Sequence, residues 1–109
     1  MKILNFPFST TDWSCVEPVL HPGETGQATS RHQQFNDIRV RLVEYSPNYL
    51  ADHWCSKGHI VLVLEGEFIT ELEDGRVITL KTGQSLQVAD QAEPHRTRSA
   101  NGAKLFIVD

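Results

Sequence analysis

Long apolar runs are missing from this chain of 109 residues. The longest strongly apolar stretch, Ile60 to Leu64, is far too short to cross a bilayer, and the opening Met1-Lys2-Ile3-Leu4-Asn5-Phe6-Pro7 lacks the apolar core of a secretory signal. Clustered positive charge is missing as well. The 10 lysines and arginines are scattered among 14 acidic residues, giving a net charge of -4, so no basic face is available for a phosphate backbone such as DNA or RNA. Cysteine is scarce: Cys15 and Cys55 stand alone, and a single pair in a reducing compartment reads as two free thiols, not as a scaffold. These absences predict a cytoplasmic protein with neither a membrane nor a nucleic acid as partner.

What remains is ordinary globular usage. Apolar residues make up 39% and charged residues 22%, which excludes both a disordered chain and a coiled coil. The length suits one domain with a modest core, for which pairing with a second copy would bring a real gain in buried surface.

Residues 1–36 carry Pro7, Pro18, Pro22, Gly23 and Gly26 and show no periodicity, which predicts an irregular arm that packs on the rest of the chain or on a partner subunit. From Asp37 the pattern changes. Ile38, Val40 and Leu42 alternate with Arg39 and Arg41, as in a half-buried strand. Strand-like stretches separated by turn residues then follow at about 50–55, 59–65, 67–73, 76–80, 84–89, 95–99 and 103–108, with no convincing helix. Such a succession implies a β-sandwich or barrel over residues 37–109, within a single domain. Asp74-Gly75 reads as a two-residue hairpin turn joining Glu73 to Arg76, with Phe68, Thr70 and Leu72 sharing a face with Val77 and Thr79.

The most informative stretch is Asp52-His53-Trp54-Cys55-Ser56-Lys57-Gly58-His59. If Ser56-Lys57-Gly58 forms a three-residue loop with Gly58 left-handed, Cys55 lies opposite His59, and His53, Cys55, His59 and Val61 share one face. His53 and His59 are then diagonal neighbours, roughly 7–8 Å apart at the backbone, a gap two imidazoles can close onto one ion.

This segment, continued by Glu65-Gly66, resembles the first conserved motif of the cupins, in which a His-x-His pair is followed by a glutamate and a closing glycine. His53 falls on the first histidine, Cys55 on the second, His59 on the glutamate and Gly66 on the closing glycine. Leu80-Lys81-Thr82-Gly83-Gln84 with Val88 to His95 resembles the second motif and sets His95 on its last ligand position. The resemblance covers about residues 37 to 108, and within the cupins the chain is similar to a small group named for an Asp-His-Cys-Trp motif. Here the order is Asp52-His53-Trp54-Cys55, so cysteine and tryptophan are exchanged, which leaves open which of them faces the barrel interior.

The resemblance implies a double-stranded β-helix, that is, a jelly-roll barrel. It also implies one divalent transition metal, zinc, iron or nickel, held by His53, His59 and His95. Cys55 is either a fourth ligand or a small buried hydrophobe. The leading expectation is a metal-dependent enzyme acting on a small polar molecule in the barrel mouth. A non-enzymatic ligand-binding or sensory module, and a structural metalloprotein closed by Cys55, are the alternatives. His21 and His32 read as solvent-exposed, and a homodimer is expected.

Overall fold

The structure, a computed structural model, describes Ile3 and residues 5–109; Met1, Lys2 and Leu4 of the expected arm lie outside the described residues. All regular structure except one 3₁₀ turn at Trp13–Cys15 is strand: β1 (Val19–Pro22), β2 (Gln27–Phe35), β3 (Ile38–Tyr45), β4 (Tyr49–Leu50), β5 (His59–Leu72), β6 (Val77–Lys81), β7 (Ser85–Val88), β8 (His95–Ser99) and β9 (Ala103–Val108). Every pairing is antiparallel. Among the described residues no helix is long and apolar enough to cross a membrane.

β5 is the spine of the fold. Its first half pairs with β7 on one side and β9 on the other, in a sheet that continues through β3 and β2 to β1. Its second half pairs with β6 and β8, the latter leading to β4. Expected as two strands, 59–65 and 67–73, this is one strand of 14 residues that changes register between Val63 and Glu65. Gly66 sits just beyond that irregularity at φ +76, where an added Cβ would lie 2.4 Å from the Gly102 carbonyl oxygen, so only glycine lets the strand turn from one sheet into the other.

The expected irregular stretch before residue 37 contains β1 and β2. β2 escapes a hydrophobic-alternation reading because its inward residues are Ala28, Ser30 and His32, small or polar, lining the cavity. For the same reason the polarity of β3 is the reverse of the usual one. Arg39, Arg41, Val43 and Tyr45 line the interior cavity, and Val40 and Leu42 lie on the opposite face. The hairpin after β5 also differs by one residue. Leu72 N–H bonds the Arg76 carbonyl, so the loop is Glu73-Asp74-Gly75, with Gly75 at φ +98. Phe68 therefore pairs with Leu80 and Thr70 with Ile78, and Val77 and Thr79 move to the other face.

The core occupies one end of the barrel, where Val63, Phe68, Leu80, Ala103 and Leu105 are buried together. The other end is open, and its walls mix apolar residues such as Val61, Phe68 and Ile107 with histidine, arginine and aspartate.

Candidate metal centre

The open end is a cavity of about 530 Å³, and all five histidines of the chain line it. Two strands and one loop converge there. His59 begins β5, His95 begins β8, and Cys55 lies in the loop before β5. Cys55 does not form the expected hairpin with His59. It bridges His95 instead, through Cys55 N–H to the His95 carbonyl at 2.7 Å and His95 N–H to the Cys55 carbonyl at 2.9 Å. Gly58 is not left-handed; a Cβ there would lie 2.5 Å from the Asp90 amide nitrogen, and its own N–H donates to Asp90 Oδ1 at 2.7 Å. Glycine is needed at 58 for close approach of two backbones.

As a result Cys55, His59 and His95 each present a ligand atom within 4.8 Å of the others. Cys55 is half-buried and faces the cavity, and the exposed Trp54 is not part of its lining, which answers the question of which residue points inward. His53 is outside this cluster. It lies on the rim with its side chain 73% exposed, and its Nδ1 is 2.6 Å from Asp52 Oδ1. Without the expected hairpin, the diagonal juxtaposition of His53 with His59 is lost. His21 and His32 are exposed, as expected, yet both line the same cavity.

The tautomers follow from the partners. His95 Nδ1 is 2.8 Å from the Glu93 carbonyl, which can only accept, so Nδ1 carries the proton and Nε2 a lone pair. His59 Nδ1 faces the Asp109 carboxylate at 3.5 Å, an electrostatic contact too long to count as a formed hydrogen bond, and has no other partner among the described residues. That again directs the proton to Nδ1. The two Nε2 atoms then meet at 2.8 Å, lone pair to lone pair. With both protons on Nδ1 a cation between the rings satisfies the pair, and a proton on one Nε2 satisfies the same distance as an N–H···N hydrogen bond. A metal bonded at about 2.0–2.1 Å to each nitrogen holds them slightly further apart, at about 3.3 Å in tetrahedral geometry, so the donor set fits after a small opening of the rings. Imidazole, imidazole and thiolate suit zinc and its neighbours in the transition series.

Asp109, which carries no motif signal in the sequence, orients this pair. Its side chain is fully enclosed and accepts from Arg39 Nε and Nη2 at 3.0 and 3.1 Å and from Arg41 Nη2 at 2.9 Å. Burial alone would raise the Asp109 carboxyl, but the His59 and Arg39 contacts and the two guanidinium charges outweigh it and hold it far below the usual carboxylate range. Because the His59 contact is long, the guanidinia carry most of that effect. Burial pushes His95 down from the ordinary imidazole value, partly opposed by the Glu93 carbonyl, with His59 adding to the fall. Tyr45, stacked on Tyr49 at 4.4 Å, is pushed well above the usual phenol range by burial, so it stays neutral. Of the residues after His95, Thr97 joins the cavity wall. Arg96 turns away to the Ala51 carbonyl and Glu24, and Arg98 to Glu71.

No protein-family model and no curated protein matches the sequence. Solved structures do match the fold. A predicted oxalate decarboxylase from Thermotoga maritima superposes with a TM-score of 0.77 at 16% identity, over 92% of this chain and 96% of that one. Ectoine synthase from P. lautus gives 0.75 at 14% identity, over 93% and 76%. An RmlC-like cupin from Shewanella frigidimarina gives 0.73 at 19% identity, over 94% and 89%.

Proposed function

The chain has the cupin fold, and we propose that it is a metal-dependent enzyme acting on a small polar molecule held in the barrel mouth. The observation that carries this reading is the convergence of His59 Nε2, His95 Nε2 and the Cys55 thiol, three ligand atoms within 4.8 Å of one another, on the cavity. The Glu93 carbonyl fixes the His95 ring from behind, the arrangement by which outer partners raise ligand basicity, and the Asp109 carboxylate stands 3.5 Å behind the His59 ring. A bound ion would supply Lewis-acid polarisation or an activated water. The rest belongs to the chain. Cys55, His59 and His95 would hold the ion at the cavity wall, where Thr97 and the neutral Tyr45 hydroxyl can orient a substrate and Val61, Phe68 and Ile107 limit the access of water. The open cavity favours an enzyme over a purely structural centre. Enzyme names among the structural neighbours, a decarboxylase and a synthase, support the same reading by analogy of fold.

His53 enters as a further ligand candidate from the rim of the cavity, where Asp52 holds it. Metal content by plasma mass spectrometry decides the ligand set. One equivalent of a transition metal is expected in the wild type, absent in His59→Ala and His95→Ala and reduced in Cys55→Ser. Retention in His53→Ala is expected if three ligands suffice, and loss would add His53 to the set. Wild-type protein that takes up no metal after reconstitution refutes the reading.

The two unpaired thiols fit a reducing compartment such as the cytoplasm. A homodimer is supported by the outward face of the larger sheet. Val40, Val108 and Ile60 stand in one register row there, and Leu42, Phe106 and Leu62 in the next. Ile60 and Leu62 are exposed, and Lys104, Glu65 and Glu44 at the edge offer both signs of charge to a two-fold copy. Light scattering should give twice the chain mass, falling to one chain in Leu62→Glu; a wild-type monomer refutes it.

A further inference from the structure

The cavity is positively charged in a chain that is negatively charged overall. Its lining carries Arg39, Arg41 and Lys57 against Asp52 and Asp109, one positive charge in excess with the histidines neutral, whereas the whole chain carries -4. Asp52 is engaged by His53 at the rim. Asp109 is left to serve two guanidinia at once: it forms a two-point pair with Arg39 and a single bond to Arg41. Arg41 is thus the under-compensated cation. Its side chain is 20% exposed, and its Nε has no acceptor among the described residues. An incompletely paired guanidinium beside apolar walls is costly unless an anion completes it.

We propose that Arg41, backed by Arg39, is the anion subsite of this cavity and that the ligand it takes is a small monocarboxylate. The inference rests on the reading of the cavity as the substrate pocket of the metal centre, and it specifies the class of molecule that enters. A guanidinium fork matches a carboxylate edge. In the metal-free cavity the excess of one charge matches one carboxylate and falls short of a doubly charged phosphate. The stacked Tyr45 and Tyr49 rings and Phe68 beside them provide a wall for an apolar or planar body attached to the acid. At about 530 Å³ the cavity admits a molecule the size of benzoate with room to spare.

The test uses metal-free protein at pH 8, so that carboxylate binding to an ion cannot contribute, and calorimetric titration with benzoate, its uncharged isostere benzamide, and inorganic phosphate. Benzoate is expected to bind at least about tenfold more tightly than benzamide. Arg41→Gln should abolish that preference, and Arg41→Lys should retain part of it in a variant that keeps the charge beside Asp109. Circular dichroism and metal uptake are measured on each variant. Equal binding of benzoate and benzamide by the wild type, a preference that survives in folded Arg41→Gln, or tighter binding of phosphate than of benzoate overturns the proposal. The metal reading fails separately. Benzoate preference in a protein that takes up no metal upholds the anion subsite and removes the metal, and metal uptake without benzoate preference does the reverse.

Discussion

Replacing Asp109 with asparagine keeps the shape of the side chain and removes the one negative charge that Arg39, Arg41 and the His59 ring share. Removing one partner of a buried ion pair costs about 3–5 kcal/mol. Here Arg39 and Arg41 remain 34% and 20% exposed, so water recovers part of the loss, and the expected cost is about 2–3 kcal/mol. For a domain of this size that is a fall in melting temperature of about 10–20 °C. The acid limb of the stability curve provides a second readout. Asp109 is held below its ordinary carboxylate value in the folded state, so its contribution is full above that value and is lost as the pH falls through it toward the folded value. The wild type should therefore lose stability on acidification below about pH 4, and Asp109→Asn should lose less over the same range. Urea unfolding of both proteins from pH 7 to pH 3 measures the two effects together. A variant within about 0.5 kcal/mol of the wild type at pH 7, or one with the same acid slope, would refute the role given to this carboxylate.

Other perturbations probe separate parts of the molecule. Gly58→Ala pushes a Cβ to 2.5 Å from the Asp90 nitrogen and 2.8 Å from the Val88 oxygen, both backbone, and should cost about 2 kcal/mol or more in urea unfolding and weaken metal retention through Cys55. Gly83→Ala, at φ +86 with open space around it, should cost only about 1 kcal/mol from backbone strain and leave metal content unchanged. Leu105→Ala empties a site that is 1% exposed and should cost about 2–5 kcal/mol by the same assay. In metal-free protein His95 should titrate below the ordinary imidazole value by nitrogen-detected NMR; since the unfolded chain then binds the proton more readily, stability should fall as the pH drops through about 6.5.

The parts of the fold that the sequence makes readable are those where one face is apolar and the other is not. β9 and both halves of β5 alternate around Val61, Val63, Leu105 and Ile107, which are buried, and they lie where the alternation puts them. The reading fails where the interior is itself polar. Arg39 and Arg41 look like an outer face and are an inner one, because the cavity, not the core, lies beneath them. β2 disappears from view for the same reason. His59, His95 and Cys55 are identifiable from motif spacing, but their meeting depends on Cys55 pairing with His95, a contact across 40 residues that no local pattern encodes. Asp109 is farther still from His59 in the chain, and its role comes from the register that sets β9 between β3 and β5.

That β5 exchanges hydrogen bonds with β6, β7, β8 and β9 also shapes how the molecule comes apart. A strand gripped on both edges along most of its length cannot fray, and neither sheet can detach without breaking it. The amides of Val61, Val63 and Thr70 should then exchange with solvent only through global unfolding, with β1 and β4 opening first. Because β5 must find β8 and β9 across long stretches of chain, folding should be slow for a protein of this length. His59 stands at the head of that strand, so the metal ligands should be assembled only once the barrel has closed.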